Sequence, residues 1–295
     1  MLVISNEQAI KDQIDREFPF TVDKFPLSGP DGMKTDLYGC FRSDTCENVG
    51  GAVKKNYLCH TLDDMKALAI AGMTGFDGAQ LRCSWNRGHC LVIEPTKEYR
   101  RSVYGTQDAI FPRAIIKAGF GGLKGVDGFA GLHRDACLNL MRLRVAGKVV
   151  RMKIKHTTGL MDKIQSLVQE FQRLLQSWNG IVDQAVEMNS RQLDFSAFIR
   201  EVYPMPESPT QRIINSYEDR ILTIIRRVEK ERKGFGRLNS SLKQATAWEA
   251  YNAIQGYEQH DARRHGKMDY YQRAFLAMET PAVDRAYDLA LQMAI

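Results

Sequence analysis

The sequence contains few cysteines and no long apolar run. Its 295 residues include six cysteines, none of them in a Cys-x-x-Cys pair, which is too sparse for a disulfide scaffold. No stretch approaches the roughly 18 uncharged apolar residues that a membrane-spanning helix needs. The first 18 residues carry four acidic side chains among short apolar runs, unlike a signal peptide. We therefore expect an intracellular protein with reduced thiols and no membrane partner.

Metal-binding and catalytic motifs are also scarce. Cys83, His89 and Cys90 are close along the chain, but a zinc site needs four ligands and no second pair follows. No nucleophile elbow, zinc-protease helix, kinase signature or calcium-binding loop is present. His260 and His265 are compatible with a divergent nuclease, yet convergent carboxylates for its metal ions are missing. We expect a protein without catalytic residues, metal or cofactor, and metal-dependent cleavage would indicate the nuclease alternative.

Positive charge is concentrated in two segments. The net charge is only +6, but residues 100–155 hold twelve basic residues against three acidic ones. Residues 226–237 hold six basic residues against two acidic ones, and the rest of the chain is mildly acidic. This asymmetry is expected of a surface that binds a polyanion, because lysine and arginine displace the counterions of phosphates. A solvated charged face is the alternative.

Aromatic residues are interleaved with the cations of residues 100–155. A protein that binds single strands needs rings for base stacking beside cations for phosphates, although rings in strands more often belong to a core. We single out Trp85 and Phe120 as stacking candidates. The hypothesis requires the cations to converge in one groove. The predicted phosphate contacts are Arg113, Lys117, Lys124, Arg142, Arg144, Arg151, Lys153 and Lys155.

The N-terminal half has the patterns of short helices and antiparallel strands. Capping-box spacing at Ser5 predicts a helix that carries Ile10 and Ile14, and the same spacing at Thr61 predicts a helix over 62–71, ended by Gly72. Strand-like text with turn residues predicts a meander over 35–59 and a second antiparallel sheet over 79–150.

A glycine-rich stretch interrupts the second predicted sheet. Residues 119–131 include six glycines, but Lys124 is not followed by serine or threonine, and the spacing fits neither a P-loop nor a dinucleotide-binding loop. The stretch therefore predicts a hairpin or mobile loop, in which Lys124 could close over a ligand.

The C-terminal half is predicted to be helical. Apolar residues repeat at helical spacing over 160–178 and 212–228, and a shorter helix follows the capping residue Asp194. Further helices are predicted over 241–259 and from Pro281, with a break at 203–209. The fold class is therefore α+β, with an antiparallel β-rich N-terminal half (1–158) packed against a mainly helical half (159–295).

Four stretches give the chain its resemblance to a known family. The segments at 38–65, 110–122, 135–159 and 246–260 resemble, in the same order, phage and plasmid-like proteins grouped as domain of unknown function 932. The family commonly has a Cys-x-Asn-Gly run where this chain has Leu140 in place of the glycine. The resemblance implies a mobile-element origin, and with it the cytoplasm of a host cell. It implies little about activity, because the family offers no catalytic residues to carry over.

The outline is similar to that of phage single-strand annealing proteins, which assemble into rings or filaments, although fold alone does not imply function. We expect a homo-oligomeric protein that binds single-stranded DNA and promotes annealing in replication or recombination. The alternative is an interaction protein that inhibits a host enzyme or defence complex through the amphipathic helices at 160–178 and 212–228. The sequence leaves open whether the nucleic acid is DNA or RNA.

Overall fold

The computed structural model confirms the α+β class, with a β-rich N-terminal half and a helical C-terminal half. The elements, in chain order, are these. The helices are α1 (Glu7–Glu17), α2 (Leu62–Met73), α3 (Trp178–Ser190), α4 (Phe195–Val202), α5 (Gln211–Gly234), α6 (Ala247–Gly256) and α7 (Pro281–Gln292). The strands are β1 (Val22–Ser28), β2 (Lys34–Arg42), β3 (Val53–Lys54), β4 (Gln80–Trp85), β5 (Gly88–Glu94), β6 (Arg101–Tyr104), β7 (Asp108–Gly119), β8 (Val126–Arg134), β9 (Asn139–Met141), β10 (Arg144–Val145), β11 (Lys148–Val149), β12 (Arg151–Ile154), β13 (Gln192–Asp194) and β14 (Gln244–Thr246).

The structure describes most of the chain. The described residues are 7–73, 79–94, 96–104, 108–121, 125–134, 139–141, 144–145, 148–149, 151–154, 169, 172–173, 176–234, 244–262, 270, 273–274, 277 and 280–292. The amphipathic helix predicted over 160–178 falls almost entirely outside them.

The chain forms two compact units that are interleaved in sequence. Unit 1 comprises residues 1–99, 112–131 and 143–177, and unit 2 comprises residues 100–111, 132–142 and 178–295. The division differs from the single boundary predicted at residue 158. Two segments of the predicted β-rich half, 100–111 and 132–142, group with the helical unit. They contain β6, β9, the first residues of β7 and the last residues of β8.

Unit 1 begins with two helices and a small sheet. Strands β1, β2 and β3 form an antiparallel sheet in that order, which confirms the predicted meander and adds β1 to it. Helix α2 begins where predicted, because the Asp64 carboxylate accepts the Thr61 backbone N–H at 2.7 Å and the Thr61 hydroxyl accepts the Asp64 N–H at 3.1 Å. Gly72 does not end this helix. A Cβ there would lie 2.5 Å from Ile93 Cδ1, so the glycine permits close helix-to-strand packing instead.

The larger sheet of unit 1 is antiparallel, with strand order β12-β8-β7-β5-β4. Every residue of β5 is buried, so the strand reads as a nearly continuous apolar run rather than as an alternating pattern. Helix α1 buries Ile10 and Ile14, and the Gln13 side-chain amide donates to the Leu81 carbonyl of β4 at 2.8 Å. The core of unit 1 therefore lies between these helices and β4 and β5.

Unit 2 is built around α6, all of whose residues are buried. Thr246 caps this helix and forms a complete capping box with Glu249. The predicted cap at Asp194 is also present, since its carboxylate accepts the Ala197 N–H at 2.9 Å. Helix α5 extends the predicted 212–228 helix at both ends, and α7 begins at Pro281 as predicted. Among the described helices, none combines the length and the apolar character needed to cross a bilayer.

Candidate nucleic-acid interface

The predicted phosphate contact Arg113 is internal. It lies on β7, is 6% exposed, and donates to the Glu94 carboxylate of unit 1. Arg82 approaches the second oxygen of the same carboxylate at 3.5 Å. A buried guanidinium that is paired with a carboxylate is not available to a phosphate. Arg113 is therefore no longer a candidate phosphate contact.

Other cations of the two basic segments are neutralised inside unit 2. Arg134 is 1% exposed and donates to Asp108 at 2.6 and 2.9 Å and to Glu231 at 2.7 Å. In the second segment, Arg232 is 5% exposed and donates to Glu249 at 2.9 Å. These arginines contribute to the charge excess along the sequence but not to the charge of the surface.

In unit 1, the strand register aligns three charged residues on neighbouring strands: Lys117, Asp127 and Lys153. Pairing of β12 with β8 places Lys153 opposite Asp127 and Arg151 opposite Phe129. The hairpin between β7 and β8 is closed by the Gly119 N–H, which donates to the Gly125 carbonyl at 3.2 Å. Continued along the hairpin, this antiparallel register places Lys117 opposite Asp127. In this backbone register Asp127, on the middle strand β8, thus lies between Lys117 and Lys153.

The remaining predicted cations are Lys124, Arg142, Lys155 and Arg144. Lys124, Arg142 and Lys155 lie outside the described residues. Arg144 lies on β10, where it pairs with Val149 in the backbone register of a two-stranded sheet.

The two predicted stacking candidates are brought together at one end of unit 1. Trp85 ends β4 and Phe120 follows β7, and their ring centroids lie 6.1 Å apart. Phe120 is only 2% exposed and stacks on His60 with centroids 4.1 Å apart, so it belongs to the core rather than to a stacking surface. Trp85 is half-buried, so part of the residue reaches the surface.

Beside these rings lies a small concave site, here called the glycine recess, with a volume of about 230 Å³. Its backbone walls approach each other closely, since a Cβ on Gly121 would lie 2.1 Å from the Gly51 nitrogen, and Gly121 has a φ of +87°. Only glycine fits at such a position. The recess is lined by Asn48, Val49, Gly50, Gly51, Arg87, Phe120 and Gly121.

Arg87 provides the positive charge of the glycine recess. It occupies the turn between β4 and β5, is exposed, and has a φ of +50°. Within the described part of the chain, no hydrogen bond or ion pair engages its guanidinium. Sequence reasoning missed Arg87 because it lies outside the two basic segments. The available signal was its place in a tight Asn-Arg-Gly hairpin turn, where a polar side chain faces solvent.

A pair of buried histidines lies next to Phe120 of the glycine recess. His60 and His89 are buried, and His60 Nε2 lies 2.8 Å from His89 Nδ1. Burial, together with a smaller contribution from the charge of Arg42, lowers the pKa of His89 to about 4. His89 is therefore uncharged near neutral pH. Among the described residues, no three histidine, cysteine or carboxylate side chains are grouped as metal ligands would be.

Arg42 lies against the aromatic side chains of the same region. Its guanidinium carbon is 3.8 Å from the Phe20 ring centroid and 5.2 Å from that of Trp85. Its Nε and Nη2 donate to the two carboxylate oxygens of Asp44, at 2.9 and 2.7 Å. Arg42 thus positions the Trp85 ring, while Arg87 carries a charge that no carboxylate of the described residues neutralises.

Comparison with known proteins places the chain in a family. The family model described as domain of unknown function (DUF932) matches residues 96–286, about two thirds of the chain. The protein belongs to this family. Three of the four stretches that carried the resemblance fall within the matched residues, and the stretch at 38–65 precedes them. No curated protein matches the chain, and neither does any solved structure.

Proposed function

We propose that unit 1 binds single-stranded DNA, with a backbone phosphate in the glycine recess and a base against the exposed part of Trp85. The observation that carries this proposal is the position of Arg87. An exposed arginine with no described protein partner borders a recess walled by glycine backbone, on the side of the unit where Trp85 reaches the surface.

The chemistry of the recess favours a phosphate. Glycine walls let an anion approach the backbone without contact with a Cβ. The guanidinium of Arg87 has five N–H donors in a planar arrangement that matches phosphate oxygens. A volume of about 230 Å³ is below the roughly 300–1,000 Å³ of pockets that enclose a whole drug-sized ligand. The recess therefore suits one group of a longer molecule rather than a complete cofactor.

Trp85 supplies the second contact. Base stacking on an aromatic ring contributes about 1–3 kcal/mol per base and tolerates every base, because each has a π face. Contacts with Phe20 and Arg42 hold the indole, so little side-chain freedom would be lost on binding. A fixed ring beside a phosphate site is the combination that single-strand binders use.

The other predicted phosphate contacts, and the predicted annealing activity, depend on this site. Cations elsewhere in unit 1 would extend the phosphate track, and we retain Lys117, Lys124, Arg144, Arg151, Lys153 and Lys155 as candidates for that role. Arg142 belongs to unit 2 and stays a prediction from the sequence. Annealing in replication or recombination, and assembly into a homo-oligomer, belong to the same proposal.

The test combines tryptophan fluorescence with salt-dependent binding. The chain has three tryptophans, and Trp178 and Trp248 are 2% and 4% exposed, so quenching by an added oligonucleotide would report on Trp85. We expect single-stranded DNA to quench the emission and to bind with an affinity that falls steeply as salt rises. Duplex DNA and single-stranded RNA of the same sequence serve as comparison ligands.

A matched pair of variants tests the site itself. Arg87→Gln should weaken binding and reduce the log–log salt slope by about 1, the value for one phosphate contact. Arg16→Gln removes the same charge from an exposed position on α1, outside the recess lining, and should leave the slope unchanged. Equal behaviour of the two variants, or binding that does not respond to salt, would contradict the proposal.

The host-protein alternative concerns unit 2. Helix α5, one of the two helices that would form the partner surface, buries Ile224 and Val228 within its own chain but exposes Ile213 and Leu222. A host protein that co-purifies in stoichiometric amount after nuclease treatment, with no oligonucleotide binding, would favour that alternative.

A further inference from the structure

Unit 1 contains a close cysteine pair outside the glycine recess. Cys40, on β2, is fully buried, and Cys59, in the segment between β3 and α2, is half-buried. Their sulfur atoms are 3.6 Å apart. A disulfide requires about 2.05 Å, so the two sulfurs need to approach by only about 1.5 Å.

The surroundings of the pair favour a thiolate on Cys40. The hydrogen bond with Cys59 lowers the pKa of Cys40, and the Gly121 backbone N–H and the charge of Lys24 act in the same direction, against the effect of burial. The same hydrogen bond raises the pKa of Cys59. Lys24 pairs with Cys40 across the strands and also donates to the Tyr57 carbonyl at 2.8 Å, which fixes it beside both cysteines.

We propose that Cys40 and Cys59 are a redox modification site that forms a reversible disulfide when a peroxide oxidises the pair. The Cys40 thiolate attacks one peroxide oxygen, the O–O bond breaks, and a sulfenic acid forms as hydroxide leaves and is protonated to water. Cys59 then attacks the sulfenic sulfur, the S–S bond forms, and the departing hydroxide takes the Cys59 proton. The two thiols lose two electrons and two protons, and hydrogen peroxide becomes two waters.

The disulfide would link β2 to the segment that supports the glycine recess. In that segment the Tyr57 hydroxyl accepts the Gly121 N–H at 3.2 Å, and His60 stacks on Phe120. Oxidation would thus restrain the residues that hold Phe120 and Gly121. The bond itself depends on the geometry of the cysteines and not on nucleic-acid binding.

Two of the other described cysteines, Cys46 and Cys83, differ from this pair in exposure or in pKa. Cys46 is exposed and would be oxidised first if access alone decided. Burial, followed by the charge of Glu17, raises the pKa of Cys83 to about 12, which disfavours its thiolate. The proposal therefore predicts selectivity for a buried pair over an exposed single thiol.

The experiment treats the full chain with a small excess of hydrogen peroxide, alkylates the remaining thiols, and measures the intact mass and the peptide map. We expect two of the six cysteines to be lost to alkylation and regained after dithiothreitol, with the Cys40 and Cys59 peptides joined. The oxidised chain should also unfold several degrees higher than the reduced chain, because the closed loop restricts the unfolded state.

Variants distinguish oxidation of the Cys40–Cys59 pair from oxidation that follows solvent exposure alone. Cys59→Ser should leave a sulfenic acid on Cys40 that dimedone traps, without the rise in unfolding temperature, whereas Cys46→Ser should still form the disulfide. A chain in which Cys46 is oxidised while Cys40 and Cys59 stay alkylatable would overturn the proposal, as would a disulfide between other cysteines. The wild-type mass measurement decides this even where a variant does not fold.

Discussion

Arg134 donates from Nε and Nη2 to the two carboxylate oxygens of Asp108, at 2.6 and 2.9 Å, and both side chains are almost completely removed from solvent. Glu231 accepts a third bond from Arg134, and the Trp248 indole N–H donates to Asp108 at 3.2 Å. The network joins β7, β8, α5 and α6 within unit 2. A buried ion pair of this kind is costly to break on one side only, because the remaining charge stays desolvated.

We therefore expect Asp108→Asn to lower the free energy of unfolding by about 3 kcal/mol, since the substitution keeps the shape but removes the principal counter-charge of Arg134. Urea unfolding followed by circular dichroism measures the change. Glu218→Gln, at an exposed position of α5, is the control and should change the stability by less than about 0.5 kcal/mol. Equal effects of the two substitutions would show that the network is not stabilising.

The His60–His89 pair predicts a pH dependence of stability. The pKa of His89 is about 4 in the folded chain, below its ordinary value of 6.5, so the unfolded chain binds the proton first as the pH falls. The stabilising effect is complete above about pH 6.5 and is lost between pH 6.5 and 4, by up to about 3 kcal/mol. His89→Gln should flatten the curve over that interval. A variant with the same slope as the wild type would place the titrating group elsewhere.

Gly121 is expected to be essential for the shape of the glycine recess. Its positive φ strains any other residue by about 1–2 kcal/mol, and an added Cβ would overlap the Gly51 nitrogen. Gly121→Ala should therefore destabilise the chain by more than the strain alone and weaken oligonucleotide binding. Gly180→Ala is the control, because nothing lies within 4 Å of its Cβ position on α3. That substitution should be neutral or stabilising, by up to about 1 kcal/mol, and a loss similar to that of Gly121→Ala would contradict this account.

Local elements were predictable because their causes are close in sequence. Thr61 and Asp64 define the start of α2 through bonds across three residues, and Asp194 does the same for α4. Gly72 was misassigned as a helix end because its reason for being glycine is Ile93, a contact that no local pattern records.

The candidate site was only partly predictable. Trp85 and Phe120 were chosen from sequence and do meet, but Phe120 is buried against His60, which lies 60 positions earlier in the chain. Arg113 was chosen for its charge, while its partner Glu94 is 19 residues away and was not recognised. Arg87 was overlooked because one arginine in a turn has no compositional signal.

The amino-acid sequence alone determined the α+β class and the positions of most helices and strands, because periodicity and capping depend on neighbours within a few residues. Only the tertiary structure decided which cations remain exposed. Arg113 and Arg134 are neutralised by carboxylates brought to them by strand and helix packing, whereas packing leaves Arg87 at the edge of a glycine-walled recess. Charge along a chain is local, but burial and pairing depend on contacts between residues far apart in sequence.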